Sequence, residues 1–437
     1  MKPQVAVVGG GAAGISAACG LCEDAQVTLF ESEPRLGGHA YTVEVEDAGR
    51  TFGLDTAFIV YNEPHYPKLT RFFADLGVAT QSHPGKFCFF DLDVKSAYVS
   101  DDFERSEEEV RARYPDEFVR LWQEARRFLA ESPRHFVRKQ ADIPLGEYLD
   151  RHGYSEEFRY GFIVLISTAA WSVPADRIWD MPASTVIAFF FAHGAEGLGG
   201  RTAPWRTVTG GSVSYVRAAA ARLRAARARI RPATPVLGVR QEPDGVVVRT
   251  AAGAERFDYA VLATHADDSL AMLENPTPRQ RMLEAFAYHP TRATLHTDPS
   301  VMPEDRTTWR SWNYGRRDRD GEQVSWVNYH LNDLQCLEGG TRDYFLTLDS
   351  GVDIRDEHVI EEIAYRHPVF TLEARRLQSE IYSLNDPAGR LMFAGSYFHS
   401  RKLGPDVIGL HESAFDSGLA SAEAIREALR GSRDAAA

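Results

Sequence analysis

Cysteine and lysine are the scarce residues of this 437-residue chain. The four cysteines, Cys19, Cys22, Cys88 and Cys336, are too few and too scattered for a disulfide framework. Lysine occurs only at 2, 68, 86, 95, 139 and 402, so the whole span from 140 to 401 relies on arginine for positive charge. A net charge of -13 argues against nucleic acid or an anionic membrane surface as partner, and leaves a neutral or lipid-like small molecule open. No long hydrophobic run is present either. "GFIVLISTAAW" (161–171) and "VIAFFFA" (186–192) are too short to cross a bilayer. No basic, cleavable leader precedes the first apolar strand, which predicts a cytoplasmic protein. HEXXH is absent and no metal-ligand spacing survives inspection. His265 with Asp267 and Asp268 reads as the end of a cofactor strand.

The remaining composition, 44% hydrophobic and 25% charged, is that of a globular protein long enough for two or three domains. "QVAVVGGG" (4–11) predicts a buried strand entering a turn, residues 12–23 a small-residue helix, and "AQVTLFE" (25–31) a second strand, together a βαβ unit. In the turn Gly9-x-Gly11-x-x-Gly14, Gly9 permits the bend, Gly11 lets backbone approach a pyrophosphate, and Gly14 lets helix pack on strand. Ala13 lies in the same first turn, whose N–H groups and dipole favour phosphate. Glu31, ending the second strand, is placed to accept from a ribose hydroxyl, with Ser32 beside it. Cys19 and Cys22 form a C-x-x-C pair in this helix. A redox pair needs an accessible thiolate at a helix N-terminus, whereas these lie one to two turns in, where small apolar residues are wanted. They read as packing residues.

Further along, 66–76 predicts a helix, the stretch to 100 strands, 102–200 amphipathic helices, and 205–264 a glycine turn, a helix and several strands. Residues 290–350 read as strand-rich, 356–366 as a helix, and the chain closes with strand "LMFAGSYF" (391–398) and a helix over about 411–429. Pieces of one nucleotide domain at the start, middle and end imply a discontinuous architecture.

Beyond Glu31, "ESEPRLGGH" adds Arg35, the pair Gly37-Gly38, and His39. This extended pattern resembles the amine-oxidase/phytoene-desaturase superfamily of FAD flavoproteins. "TPVLGVRQ…YAVLATHADD" and "LMFAGS…GLHESAFDSGLASAEAI" resemble its middle and C-terminal FAD segments. "LDTAFIVYNEPHYPKLTRFFADLGV", "AAWSVPADRIWDMPA", "WRTVTGGSVSYV", "TRATLHTDPSVMP" and "WRSWNY" are similar to a bacterial group of predicted NAD/FAD-binding oxidoreductases within it. The resemblance implies an α/β fold: a discontinuous Rossmann-like FAD-binding domain (1–100, 205–275 and 388–437) with an inserted α+β substrate part. The latter comprises a helical cap (101–204) and a strand-rich region (276–387). It also implies FAD contacts at Thr56, Ala57 and Phe58, Val236 near the adenine, Ala263 and Thr264 near the phosphates, and Gly395 and Ser396 at the pyrophosphate. The final helix would aim its N-terminus, His411, Glu412, Ser413 and Ala414, at the flavin. One departure is "FHSRKLGPDVIGL", longer than the group's usual linker before His411-Glu412.

Many amine oxidases of this superfamily have a mid-chain lysine that holds a water at flavin N5; the corresponding strand, "TRATLHTD" (291–298), has none. This argues against amine substrates. Candidate catalytic residues are His411, Glu412, His399 and Tyr329, with Tyr61 and His330 behind them. Each also reads as a hydrogen-bonded structural residue. "VIAFFFAHG" (186–194) and Trp171, Trp179, Trp205, Trp309, Trp312 and Trp326 read as core before they read as a substrate tunnel. The expectation is an FAD-dependent oxidoreductase passing hydride between a largely apolar substrate and flavin N5, by C–C desaturation of an acyl or polyene-like molecule. Alternatives are a redox-neutral double-bond isomerase, an amine oxidase, a non-catalytic flavin-binding partner, and an NAD-only dehydrogenase.

Overall fold

The computed structural model describes residues 2–83, 85–171, 177–192, 204–319, 321–348 and 352–434. Five parallel strands form the first sheet, in the order Arg229–Arg231, Gln26–Phe30, Gln4–Val8, Tyr259–Leu262, Leu391–Phe393. These strands read as unbroken apolar runs because both faces are covered. Val5, Val7, Val27, Leu29 and Val261 face a helical layer. Their alternating neighbours Ala6, Val8, Phe30, Ala260 and Leu262 face a three-stranded meander over 236–257.

Two helices of the helical layer matter most. Ala12–Leu21 is buried at nearly every position, and it packs against the closing helix His411–Asp434. Small residues make that approach possible. A Cβ on Gly418 would lie 2.0 Å from Ser16 Oγ and 2.1 Å from the Ala13 carbonyl. Ser16 Oγ also donates to the Phe415 carbonyl at 2.8 Å. Cys19 and Cys22 lie buried in this layer, and burial pushes the Cys19 thiol up to about 12.

The second sheet has seven strands, in the order Val359–Val369, Ala287–His296, Phe345–Leu348, Glu322–His330, Trp312–Arg319, Phe87–Asp91, Ser96–Val99. One face carries Tyr314, Tyr329, Leu346 and Leu348. It packs into the core shared with helices Asp116–Val137, Leu145–Arg151 and Ala183–Ala192, whose side chains include Phe118, Trp122, Phe128 and Ile187.

Two expectations are corrected. Residues 356–366 are not a helix: after a short 3-10 turn, Val359–Val369 is an edge strand paired with Ala287–His296 along almost its whole length. Its burial alternates, with Ile363 and Tyr365 inside and Glu362 and Ala364 outside, and that period of two prevails over local helix propensity. Strands Phe87–Asp91 and Ser96–Val99 join the second sheet, because Phe87–Asp91 pairs in parallel with Trp312–Arg316. Residues 87–91 and 96–99, expected with the first nucleotide-binding segment, thus pair outside the sheet that carries the glycine turn.

Candidate functional site

The glycine turn leaves the first strand with Gly9 at φ +103°, where a Cβ would lie 2.5 Å from the Ala263 carbonyl oxygen. At Gly14 a Cβ would lie 1.8 Å from the Gly9 oxygen. Both glycines are demanded by the chain's own packing. Gly11 is different: a Cβ there would meet nothing closer than 4.0 Å. The protein leaves open space at Gly11, at the N-terminus of a helix that has no side-chain cap and no acidic residue in its first turn. Such an end presents N–H donors and positive dipole to an anion.

Glu31 closes one side of this cradle. Its Oε2 accepts the Gly10 N–H at 2.6 Å; its Oε1 accepts the Glu33 N–H at 2.9 Å and the Ser32 hydroxyl at 3.0 Å. A carboxylate offers about four acceptor positions, so one remains for a ribose hydroxyl. The second glycine pair closes the other side. Gly37 N–H donates to the Gly10 carbonyl at 2.8 Å, and Gly37 and Gly38 take positive φ. Arg35 Nη1 donates to the Gly38 carbonyl at 3.0 Å, with its guanidinium 3.7 Å over the Tyr41 ring. Thr264 and Gly395 meet behind the turn: a Cβ on Gly395 would lie 3.3 Å from the Thr264 carbonyl oxygen.

Next to the second glycine pair, at His39, begins the wall of a cavity of about 440 Å³ that is lined by the second sheet, the cap helices and the start of the closing helix. His39, Thr56, Ala57, Phe58 and His411 form its near wall. Phe162, Phe190, Tyr314, Tyr329, Leu346 and Leu348 line it beyond. Its charged lining residues are Lys86, Asp101 and Glu104, of which Lys86 and Glu104 are exposed. Lys86 pairs with Asp101, which also accepts from Arg310 at 2.9 Å.

His411 opens the closing helix. Its ring stacks on Phe58 at 3.8 Å and 11°, and its Nε2 lies 2.8 Å from the Tyr215 hydroxyl. Burial pushes its pKa down to about 3, so the imidazole is neutral at pH 7. His39 and His367 stack at 5.1 Å on the same wall. Burial, with His265 and His289 nearby, holds His367 down at about 4, and burial followed by His367 keeps His39 well below the usual histidine range. All three are hydrogen-bonding groups rather than cations.

Other expected residues make contacts within the protein. Glu412 is fully buried and points away from the cavity. Its two oxygens accept the N–H groups of Lys68 and Leu69, each at 3.0 Å, and so cap the helix Pro67–Leu76. Burial outweighs those donors and pushes its pKa up to about 7. Ser413 Oγ donates to Val407, Ala414 N–H to Leu410, and the Ser396 carbonyl accepts from Gly409. Val236 begins a strand of the meander, half-buried against its cluster. His399 pairs through Nδ1 with Gln378 at 3.2 Å, off the cavity wall. His330 faces Asp343 and Trp309, and Tyr61 packs against Tyr66 and Phe73. Tyr329 lines the cavity, as do Phe189, Phe190, Trp205 and Trp312. Trp309 and Trp326 instead donate to the carbonyls of Pro303 and Val301, while Trp171 and Trp179 lie elsewhere. His193 and Gly194 of the aromatic run lie outside the described residues.

His367, Tyr215, Tyr314, Leu346 and Leu348 are absent from the sequence-based candidates. The one available signal is the alternation Ile363, Tyr365, His367, hidden once that segment is read as helical.

Residues 12–329 match the family described as flavin containing amine oxidoreductase. No curated protein sequence matches the chain. Among solved structures, putrescine oxidase bound to putrescine is similar at TM-score 0.70 and 15% identity, covering 98% of this chain and 99% of its own. Cyclohexylamine oxidase from Brevibacterium oxydans IH-35A is similar at TM-score 0.67 and 17% identity, covering 98% and 100%. A CLA-producing fatty acid isomerase from P. acnes is similar at TM-score 0.64 and 14% identity, covering 95% and 97%. At these identities the likeness is one of fold.

Proposed function

The chain belongs to the flavin containing amine oxidoreductases and is an FAD-dependent oxidoreductase, and we propose that it dehydrogenates a C–C bond of a largely apolar, acyl or polyene-like molecule. The residues present fit FAD. The open space at Gly11, the uncapped helix behind it and the remaining acceptor position on Glu31 are what a dinucleotide's pyrophosphate and ribose require. Arg35 would add positive charge beside Gly38, and Thr56, Ala57, Phe58 and His411 would flank the ring system. Bound FAD supplies the hydride-accepting chemistry.

The observation that carries the substrate class is the charge distribution of the cavity. Its interior offers aliphatic and aromatic carbon with neutral hydroxyl and imidazole groups, and its charged side chains are Lys86, Asp101 and Glu104. Of its two carboxylates, Asp101 is already paired with Lys86 and Arg310 and Glu104 is exposed, so a cationic amine would gain little from them to offset its desolvation, whereas an apolar chain would release water from both surfaces. Phe162, Phe190, Leu346 and Leu348 would hold such a chain and exclude water. Burial holds the Tyr314 and Tyr329 hydroxyls protonated, so they act as hydrogen-bonding groups.

Anaerobic mixing of the FAD-loaded protein with long-chain acyl and polyene compounds is expected to bleach the flavin, while amines leave it oxidised. Bleaching by amines alone would overturn the proposal. So would product with a shifted double bond and no net bleaching, which would point to redox-neutral isomerisation.

A further inference from the structure

His411 is held by a residue nearly two hundred positions earlier. Tyr215, on the helix Val213–Ala225, is fully buried, and its hydroxyl lies 2.8 Å from His411 Nε2. Among the described residues that hydroxyl makes no other hydrogen bond. Two arrangements satisfy the distance. In one, Nε2 donates to the phenol oxygen, and the phenolic proton is left in the core without an acceptor. In the other, the phenol donates to Nε2 and both atoms of the pair are satisfied. An unpaired buried donor costs on the order of 1–3 kcal/mol, which decides for the second. A neutral imidazole carries one proton, so a lone pair used at Nε2 places that proton on Nδ1. The Phe58 ring, parallel to the imidazole at 3.8 Å, keeps the ring in this plane. Nδ1 has no hydrogen-bond partner among the described residues, and His411 lines the cavity.

We propose that Tyr215 is a positioning residue that holds His411 in its Nδ1–H tautomer, so that His411 presents a hydrogen-bond donor, and not a base, to the bound flavin. The proposal rests on the reading that the cavity beside His411 receives the flavin ring. A neutral donor in the first turn of the closing helix adds to that helix's positive end, and both favour negative charge gathering on the ring as it accepts electrons. His411 then stabilises the electron-rich side of the reaction and takes no proton from substrate.

Nitrogen NMR of the FAD-loaded protein carrying isotopically labelled histidine tests this, with the His411 signals identified by their loss in His411→Gln. The expected pattern is a protonated Nδ1 and an unprotonated Nε2. Tyr215→Phe removes only the hydroxyl; it should populate the Nε2–H form and weaken binding of reduced relative to oxidised flavin by about tenfold, the loss of one charge-assisted hydrogen bond. A wild-type protein with Nε2 protonated overturns the proposal, and that measurement decides even if Tyr215→Phe does not fold. A folded Tyr215→Phe protein with unchanged tautomer and unchanged flavin ratio overturns it as well. Chemical reduction of the flavin should move the Nδ1 signal. An Nδ1–H tautomer indifferent to reduction would overturn the donor role toward flavin and the cavity reading with it, while leaving Tyr215 as the residue that sets the tautomer.

Discussion

Alanine at Gly14 and alanine at Gly11 probe two different duties of one turn. At 14 the added carbon would lie 1.8 Å from the Gly9 oxygen, so Gly14→Ala should lower the melting temperature of the protein even without cofactor. At 11 the nearest atoms are 4.0 Å away. Gly11→Ala should therefore melt within a degree or so of the parent when cofactor-free, yet retain at least about tenfold less FAD after purification, because the carbon occupies ligand space. Equal loss of fold in both variants would refute this division of roles. The thiols of the same helix give a contrasting expectation. Cys19 and Cys22 are buried, with burial keeping both protonated. Cys19→Ala with Cys22→Ala should leave the rate of flavin reduction within about twofold of the parent, with no response to added thiol reductant.

Two helix N-termini are coupled through Glu412, which starts the closing helix and caps Pro67–Leu76 with both carboxylate oxygens. Removing it leaves two buried N–H groups without acceptors. Glu412→Ala is expected to cost about 2–4 kcal/mol in chemical denaturation, and Glu412→Gln, which keeps one acceptor, about half as much. A comparable joint lies at Asp55. This fully buried carboxylate accepts from Thr42 Oγ1, from the Ser212 N–H and from Gln335, tying the strand Arg50–Asp55 to the helix Val213–Ala225 and to the end of the second sheet. Ion pairs add a third. Arg366, on the edge strand Val359–Val369, pairs with Asp267 and Asp268 at the start of the helix Ala266–Met272. The walls of the cavity belong to different sheets, and joints of this kind hold them at one separation.

Across the whole molecule, acid should unfold the protein before the ordinary carboxylates titrate. Burial holds His83, His296 and His367 at about 4 and His411 at about 3, against 6.5 for the free side chain. Between these values the unfolded chain binds protons that the folded chain refuses, so stability present above pH 6.5 is lost as pH falls toward 4. Asp55 and Glu412 act in the opposite sense. Their folded values of about 7 lie above the free values of 3.8 and 4.5, so their contribution grows as pH falls through the same window. Four histidines outweigh two carboxylates, and the melting temperature of the FAD-loaded protein should decline from pH 6.5 to 4. A melting temperature that is flat or rising over that range would contradict the burial of these imidazoles. The α/β class and the glycine turn with Glu31 were legible in the chain, because a turn that needs positive φ, a helix of small residues and a strand buried on both faces each restrict residue type locally; FAD rather than NAD came from the family resemblance carried by Arg35 to Gly38 and the closing segment. The edge strand over 359–369 was not, since its partner lies some seventy residues away and only pairing reveals the period of two. Nor was the cavity: Leu346 and Leu348 look like any core residues until the tertiary structure sets them on its wall. Glu412 could be marked as important from sequence, but only the packed structure spends it on the Lys68 and Leu69 N–H groups and puts His411 on the cavity wall. Local chemistry determines which backbone conformations a segment accepts; which distant side chains then meet depends on how sheets and helices share the limited ways of burying their apolar faces.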